Sequence, residues 1–359
     1  DLQQSALFVS GSGGYASYRI PAIVETKKGA LLAFCEGRVG SSSDHGNIDL
    51  VLRRSMDGGK TWLPLQVLVD DGLNACQNPA PVVDRKTGTI VLPFTKKDAS
   101  TNEGAILKKE GPPITVWVTR SGDDGATWSS PEDITSQASK PEFLWYATGP
   151  GHSIQLHDGT LLVPCDHSLG PDKEQWYSHA LLSKDGGSTW QLGGTVGPKV
   201  NECIAVELAD GRVYLNMRSY HGDNRRRVSF SEDGGLTWSP AQADQALIEP
   251  VCQASAVRAV LKQNGVKECI VFSNPAGTKR EKLTVRLSYD EGATWPVAWV
   301  LHDGPAAYSD LVAMHDGTIA CLYERGEKNP YETIAFARFS QKWLATGSGT
   351  VAAAKPGVH

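Results

Sequence analysis

One eight-residue pattern, S-x-D-x-G-x-T-W, occurs five times in the 359-residue chain and limits what the chain can fold into. We name this pattern the Asp box, and the five copies are Ser55–Trp62, Ser121–Trp128, Ser183–Trp190, Ser231–Trp238 and Ser288–Trp295. Each copy follows a short apolar run. Asp and Gly between two strand-like runs indicate a tight turn, because glycine tolerates positive φ and the aspartate side chain binds nearby backbone amides. We therefore interpret the boxes as structural turns between strands.

A second repeat, a hairpin centred on glycine between two apolar runs, alternates with the Asp boxes. Its six turns are Lys28-Gly29, Thr87-Gly88, Asp158-Gly159, Asp210-Gly211, Asn264-Gly265 and Asp316-Gly317. One unit reads strand, glycine hairpin, strand, longer connection, strand, Asp box, strand, with a period of roughly 50–65 residues that is typical of propeller blades. The last unit, about 309–344, lacks the Asp box. The pattern predicts an all-β fold, a six-bladed β-propeller of four-stranded antiparallel sheets.

Composition and charge restrict the class of protein. Hydrophobic residues make up 40% of the chain and charged residues 21%, which is ordinary for a globular protein. The net charge of −5 argues against a nucleic-acid partner. There is no apolar run of about 18 residues, so we expect no transmembrane segment. We predict a single domain over residues 1–346, which carries the functional site, and a flexible C-terminal tail over residues 347–359.

The cysteines and histidines give no sign of a metal site. The seven cysteines form no CxxC pair, and neither residue type has zinc-ligand spacing. An odd number of cysteines in a large chain, most of them in apolar runs, predicts buried free thiols rather than a disulfide framework. We expect no metal and no cofactor.

The strand order predicts which face of the propeller carries a site. Strands that alternate in direction place the glycine hairpins and the Asp boxes on one face and the longer connections on the other, where a binding site is usually built. Most charged residues at strand ends are simply exposed. Here several unusual polar residues share the second face, and these are Arg19, Asp44, Glu202, Arg218, Arg280, Tyr308 and Glu324.

Arg19-Ile20-Pro21 followed by repeated Asp boxes resembles the exo-sialidase (neuraminidase) family, over residues 18–344 of the chain. The Asp boxes alone are weakly specific, because other propellers contain them. Their combination with four further segments is strongly specific, namely Asp44-His45, Asn201-Glu202, Asn216-Met217-Arg218 and Ala307–Leu311. The bacterial and animal members are the most similar.

The resemblance implies a catalytic domain and a role for each candidate residue. It implies Tyr308 as nucleophile, Glu202 as its base and Asp44 as acid/base. It implies that Arg19, Arg218 and Arg280 form the triad that holds the substrate carboxylate, and that Glu324 orients Arg19. Arg38 is implied as a further substrate-binding residue. The implied partners are sialylated glycans, glycoproteins or gangliosides. The expected location is secreted or periplasmic, with lysosomal or cytoplasmic as alternatives.

The chemistry of sialic acid explains why these residue types occur together. Its anomeric carbon bears a carboxylate, which three guanidinium groups can hold by charge-assisted hydrogen bonds. A carboxylate nucleophile would be repelled by that charge, whereas a neutral phenol is not, and sialidases with a tyrosine nucleophile are a known exception among glycosidases. A free phenol has a pKa of about 10, so a carboxylate must accept its proton during attack.

Several alternatives stay open at the level of sequence. Arg286 competes with Arg280 for the third arginine, and Tyr323 competes with Tyr308. Both rivals lie inside strand-like runs, whereas we expect Arg280 to lie just before a strand and Tyr308 to begin one. A trans-sialidase would use the same residues to transfer the sugar to an acceptor. A sialic-acid-binding propeller without activity would need only the arginines, and a glycosidase for other sugars would not need three of them.

Overall fold

The computed structural model describes residues 2–261, 267–340 and 343–344, and strands dominate them. The first thirteen strands are β1 (Leu2–Val9), β2 (Ser17–Glu25), β3 (Leu31–Arg38), β4 (Ile48–Ser55), β5 (Gln66–Val69), β6 (Ala75–Gln77), β7 (Val82–Val83), β8 (Ile90–Lys97), β9 (Thr115–Ser121), β10 (Glu132–Asp133), β11 (Tyr146–Thr148), β12 (Ile154–Gln155) and β13 (Leu161–Ser168). The others are β14 (Trp176–Ser183), β15 (Gln191–Val196), β16 (Val200–Glu207), β17 (Val213–Ser219), β18 (Arg225–Ser231), β19 (Gln242–Ile248), β20 (Ser255–Leu261), β21 (Lys267–Pro275), β22 (Glu281–Ser288), β23 (Val297–Ala313), β24 (Ile319–Arg325) and β25 (Thr333–Phe339). The helices in this part of the chain are short: α1 (Glu103–Leu107), α2 (Thr135–Ala138) and a 3-10 turn at Lys173–Gln175.

These strands form four sheets in the described ranges. The largest has the order β10-β9-β8-β6-β4-β3-β2, with β5 beside β4 and β7 beside β8. The others are β1-β25-β24-β23-β22-β21-β20, then β11-β13-β14-β15 with β12 beside β13, and finally β16-β17-β18-β19. Pairing is antiparallel except at one parallel bridge between Ile48 and Ala75. The prediction of an all-β fold is confirmed, and β16-β17-β18-β19 is a four-stranded antiparallel sheet of the predicted kind.

The predicted turns lie where the two repeats placed them. Each Asp box connects two neighbouring strands, as Ser183–Trp190 does between β14 and β15. Glycine hairpins connect β2 to β3, β7 to β8, β12 to β13, β16 to β17 and β23 to β24. The sixth predicted turn, Asn264-Gly265, and the predicted tail over residues 347–359 lie outside the described residues.

Each Asp box satisfies its own polar groups. In the third box, Asp185 Oδ1 accepts hydrogen bonds from the Ser183 hydroxyl (2.9 Å) and the Thr189 amide (2.8 Å), and Oδ2 accepts from the Thr189 hydroxyl (2.6 Å). The Ser183 hydroxyl oxygen in turn accepts from the Gly187 amide at 2.8 Å. Equivalent bonds recur in the other four boxes. The aspartate therefore fixes the turn, as predicted, because it bonds two groups four residues ahead.

Apolar side chains fill the space between neighbouring groups of strands. Ala33 and Val51, from β3 and β4, belong to the same buried cluster as Leu322 and Phe336, from β24 and β25. The Asp-box tryptophan Trp62 packs edge-on against Phe336, with ring centroids 5.1 Å apart. The boxes thus contribute packing area across the boundary between sheets as well as turns.

The seven cysteines are free and buried in the structure. No cluster of three or more His, Cys, Asp or Glu side chains suited to a metal ion occurs in the described ranges. Within the same ranges, no helix has the length and apolar character needed to cross a membrane.

One boundary prediction is wrong. We expected Tyr308 to begin a strand, but β23 runs without interruption from Val297 to Ala313. Its first half pairs with β22 and its second half pairs with β24. One strand therefore serves two neighbouring groups of strands, and Tyr308 lies within it.

Candidate active site

A cavity of about 220 Å³ brings together seven of the eight predicted site residues. These residues are Arg19, Arg38, Asp44, Glu202, Arg218, Arg280 and Tyr308. They belong to β2, β3, the loop after β3, β16, β17, the residue before β22, and β23. The eighth, Glu324 in β24, is fully buried against Arg19. The strand order therefore gathers residues from distant parts of the chain at one place.

Irregular strand pairing shapes the floor of this cavity. The pairing register shifts at Arg19–Ala22 in β2, at Val200–Cys203 in β16 and at Ala306–Ser309 in β23. Each shift lies at a predicted site residue. Ile20 adopts a φ of 61°, which is unfavourable for a β-branched residue. A bulge redirects side chains relative to a regular strand, and such bulges are common beside active sites.

Arg19 is fixed by a bidentate ion pair. Its Nε donates to Glu324 Oε1 at 2.9 Å, and its Nη2 donates to Glu324 Oε2 at 3.1 Å. The same carboxylate accepts from the backbone amides of Ile20 (2.9 Å) and Tyr308 (3.0 Å). Burial alone would lower the pKa of Arg19, but the Glu324 carboxylate raises it well above its usual value. Glu324 therefore holds a charged arginine and stabilises the unfavourable backbone at Ile20.

All three arginines of the predicted triad contact Tyr308. The Arg19 guanidinium lies 4.9 Å from the Tyr308 ring centroid, and the Arg280 guanidinium lies 5.6 Å from it. Arg218 Nη1 donates to the Tyr308 hydroxyl at 3.2 Å. Arg280 Nη1 also donates to the Tyr331 hydroxyl at 2.8 Å. The arrangement concentrates positive charge around one phenol.

The Tyr308 hydroxyl donates a short hydrogen bond to Glu202 Oε1. Glu202 Oε2 accepts from Arg218 Nη1 at 2.7 Å, which orients the carboxylate. Burial, together with the Glu202 charge, raises the pKa of Tyr308 well above its usual value. The phenol is therefore neutral at rest, and a proton acceptor is already in contact with it.

Asp44 lies at the edge of the cavity on the loop between β3 and β4. Its Oδ1 pairs with Arg38 Nη2 at 2.7 Å, and its side chain is 58% exposed. Arg38 is buried and also binds Glu36 Oε2 through Nε (3.0 Å) and Nη2 (2.7 Å). Burial raises the pKa of Asp44, but Arg38, Arg19 and Lys97 outweigh burial and lower the pKa below its usual value. Asp44 is thus a carboxylate in the resting site.

A family model and individual proteins of known name match most of this chain. The model for the BNR repeat-like domain matches residues 29–321. The sialidase of Micromonospora viridifaciens is 34% identical over 356 residues, covering 94% of this chain and 54% of that protein. Sialidase-2 of Mus musculus is 31% identical over 373 residues, covering 95% of this chain and 96% of that protein. The chain belongs to the sialidase family.

A solved structure of the same family agrees with the fold. The Hadza microbial sialidase Hz136 superposes with a TM-score of 0.86 at 31% identity, covering 95% of this chain and 69% of that chain. The predicted resemblance and the β-propeller fold are confirmed. The chain spans about half the length of the Micromonospora viridifaciens relative. Sialidases are glycoside hydrolases, so the family defines the class of chemistry to be tested at the cavity.

The two rival residues lie outside the cavity lining. Arg286 lies in β22 opposite Phe272, and burial lowers its pKa. Tyr323 is fully buried in an apolar cluster between sheets, and its hydroxyl donates to Gln4 at 3.4 Å. Neither residue lines the cavity that contains Arg280 and Tyr308.

The cavity also contains residues that the sequence reasoning missed. Asp166, in β13, is 1% exposed, and neither of its carboxylate oxygens has a hydrogen-bond partner in the described part of the chain. Trp145, Trp176 and Tyr220 also line the cavity. β13 continues the apolar run Leu161–Val163 as far as Ser168, so Asp166 lies within the strand. A charged residue that continues an apolar run was the available signal, and it could have identified Asp166.

Proposed function

We propose that this chain is an exo-α-sialidase that removes terminal sialic acids from glycoconjugates with retained anomeric configuration. The observation that carries the proposal is the hydrogen bond from the Tyr308 hydroxyl to Glu202, within contact of Arg19, Arg218 and Arg280. Membership of the sialidase family supports it.

In this proposal the arginines bind the substrate carboxylate. Arg19 presents a guanidinium whose Nε and Nη2 bind Glu324, so Nη1, which has no hydrogen-bond partner among the described residues, can face a ligand. Arg218 contacts the Tyr308 hydroxyl and Arg280 contacts the Tyr308 ring, so both can complete a clamp of three arginines. Bidentate and charge-assisted bonds of this kind give both affinity and orientation. The clamp places the anomeric carbon beside the phenol.

Tyr308 then attacks the anomeric carbon while Glu202 accepts the phenolic proton. The new bond joins the Tyr308 oxygen to the sugar, and the bond from the sugar to the leaving oxygen breaks. Arg218 contacts both the phenol oxygen and Glu202, so it stabilises the negative charge that develops between them. A second displacement by water regenerates Tyr308, and two displacements retain the configuration.

Asp44 serves as the proton donor to the leaving oxygen and then as the base for water. In the resting site it is ionised and paired with Arg38. A bound substrate carboxylate adds negative charge beside Arg19 and Arg38, which favours the protonated form of Asp44. Substrate binding therefore prepares the acid that the first step needs.

We further propose that the propeller has six blades. Consecutive strands form antiparallel groups of four, which are β2–β5, β7–β10, β12–β15, β16–β19, β20–β23, and β23–β25 with β1. The first and last groups also meet, because the Ile23 amide donates to Asp310 Oδ2 at 2.8 Å. Contact between the ends of the series supports a closed ring of six within a single domain over residues 1–346.

The substrates proposed are α-linked terminal sialic acids on glycans, glycoproteins or gangliosides. A secreted or periplasmic location, where such glycans are accessible, goes with this proposal. No cofactor enters the proposed steps, since every proton and charge is handled by the side chains named above.

The first experiment is hydrolysis of a 4-methylumbelliferyl α-sialoside, followed by proton NMR from the first seconds of reaction. We expect the α-anomer of free sialic acid to appear first and to mutarotate later. Initial release of the β-anomer would refute retention. Addition of lactose tests transfer, because a trans-sialidase would form sialyllactose in preference to free sugar.

The nucleophile is tested by Tyr308→Phe, with Tyr323→Phe as the matched control outside the cavity. We expect kcat/KM to fall by orders of magnitude in Tyr308→Phe, because the ring remains but the attacking oxygen is lost. Tyr323→Phe should stay within about threefold of the wild type, since Tyr323 lies outside the cavity lining and its hydroxyl makes a long hydrogen bond to Gln4. A 2,3-difluoro sialic acid should label the peptide that contains Tyr308, because fluorine slows breakdown of the covalent intermediate. Labelling at Tyr323, or unchanged activity in Tyr308→Phe, contradicts the assignment.

A further inference from the structure

Lys97, the last residue of β8, is a buried ammonium group at the edge of the cavity. Its exposed fraction is only 2%. Its Nζ donates a short hydrogen bond to the backbone carbonyl oxygen of Asp44 and lies 3.3 Å from His45 Nδ1. The Trp145 ring covers it, with the centroid 5.7 Å from Nζ. A buried charge is costly unless its donors are satisfied, and here the hydrogen-bonding partners belong to the loop that carries Asp44.

A hydrogen bond from the Val39 amide to the Asn47 carbonyl oxygen (3.1 Å) closes the base of that loop, and side chains from outside the loop hold the part that carries Asp44. Residues 39–47 contain three consecutive serines and two glycines, and residues 39–45 are exposed. Arg38 holds the Asp44 side chain and also donates to the Ser42 carbonyl oxygen at 2.6 Å. Gln77 donates to the Asp44 carbonyl oxygen at 3.4 Å. The two strong anchors are therefore Arg38 for the side chain and Lys97 for the backbone.

The two anchors have different consequences once substrate binds. In the proposed function Asp44 must turn from Arg38 toward the leaving oxygen and carry a proton, which weakens the ion pair with Arg38. The bond from Lys97 to the backbone is unaffected by that change, because a carbonyl oxygen accepts in either protonation state. During the reaction Lys97 is thus the anchor that remains.

We propose that Lys97 is a positioning residue that holds the Asp44 backbone in place for proton transfer to the leaving group. The inference rests on the proposed function of Asp44 as acid/base. A displacement of about 1 Å at a reacting group can cost on the order of 100-fold in rate. Loss of Lys97 should therefore act on the step that needs the proton, and not on the arginine clamp.

The test compares two substrates that differ in their need for an acid. An aryl sialoside such as the 4-methylumbelliferyl compound has a stable leaving anion, whereas 3′-sialyllactose must have its leaving oxygen protonated. The ratio of the two kcat/KM values reports acid assistance in the first displacement. Damage to the fold or to carboxylate binding lowers both values together and leaves the ratio unchanged.

We expect Lys97→Met to lower kcat/KM about 30-fold or more for 3′-sialyllactose and no more than about threefold for the aryl sialoside. Lys97→Arg should restore most of the ratio, because it keeps a charged donor. Lys96→Met is the matched control: this neighbour points elsewhere, pairing with Asp71 at 3.0 Å and lying over Trp117. It should leave the ratio unchanged.

An unchanged ratio in Lys97→Met, or an equal change in Lys96→Met, overturns the proposal. If Lys97→Met does not fold, the ratio is measured in Lys97→Gln, where a smaller fall in the same direction is required. Failure of the proposed function is distinguishable, because the wild type would then hydrolyse neither substrate. A wild type active on both substrates with a Lys97-independent ratio refutes only the role of Lys97.

Discussion

Carboxylates bond to nearby residues in the Asp boxes and to distant residues in the cavity. In each box the aspartate bonds to residues no more than four positions away, as Asp185 does with Thr189. In the cavity, Glu324 and Arg19 bond across 305 positions, and Tyr308 and Glu202 across 106. A carboxylate that makes its hydrogen bonds within its own turn has a structural role. Carboxylates and arginines gathered from distant strands, with hydrogen-bonding capacity left over, can serve a ligand.

The pKa values of the carboxyl groups also differ between the Asp boxes and the cavity. Hydrogen bonds from the Thr189 hydroxyl and the nearby amides lower the pKa of Asp185 to about 2. Burial raises the pKa of Asp166 well above its usual value, and Glu202 adds to the effect. Local donors thus stabilise the charge in the box, whereas the cavity keeps a carboxyl group without donors. Asp185 therefore stabilises its Asp box, whereas burial of Asp166 without hydrogen-bond donors is expected to lower the stability of the protein when no ligand is bound.

The largest effect that would sharpen this comparison is on the arginine clamp. Arg280→Ala should raise the free energy of the transition-state complex, relative to free enzyme and substrate, by roughly 2–4 kcal/mol. The reason is that a charge that pairs with the substrate carboxylate is lost. Arg286→Ala is the control from the adjacent strand, outside the cavity lining. Measurement of kcat/KM separates the two. Wild-type activity in Arg280→Ala together with lost activity in Arg286→Ala would show that the third arginine is misassigned.

The sequence predicted the Asp-box region well because its structure is local. The turn, its hydrogen bonds and its tryptophan lie within eight residues, so a repeated motif was enough to place the strands around Ser183–Trp190. It also predicted which polar residues meet, because strand alternation assigns them to one face. The roles of those residues stay predictions, and the experiments above test them.

The features that the sequence did not reveal depend on contacts between distant strands. A bulge such as the one at Ala306–Ser309 is a property of two paired strands, so neither strand alone indicates it. The continuous strand β23 was divided in error because the two halves belong to different sheets in the repeat pattern. Asp166 was missed because its burial without partners arises only when β13 packs beside the cavity.

A smaller effect tests whether Asp166 is costly in the free protein. A buried carboxyl with a raised pKa stays protonated when folded but ionises in the unfolded chain above about pH 4. The wild type therefore loses stability as pH rises from about 4, since the unfolded state releases the proton first. In Asp166→Asn this loss should be absent, so the variant should be more stable than the wild type at pH 7 by about 1–3 kcal/mol.

Urea unfolding of both proteins at pH 4 and pH 7 measures this difference directly. The gain should be larger at pH 7 than at pH 4, and kcat/KM should fall in the same variant if the carboxyl contacts the substrate. A difference in unfolding free energy that does not change with pH would show that Asp166 titrates normally, and the contrast with the Asp boxes would fail at this residue.

The smallest effect is expected from an Asp box itself. Asp185→Ala removes the acceptor for four hydrogen bonds in an exposed turn, and we expect Tm to fall by roughly 2 °C at pH 7 while kcat/KM is unchanged. Because the pKa of Asp185 is lowered to about 2 in the folded state, the stabilisation is complete above about pH 4 and is lost as pH falls toward 2. The difference in Tm between the two proteins should therefore shrink at pH 3. Lys184→Ala, at the neighbouring exposed position, should show neither the loss nor its pH dependence. A clear loss of activity in Asp185→Ala with an intact fold would mean that the boxes contribute to the site, and the division between a self-satisfied turn and a ligand-binding cavity would no longer hold.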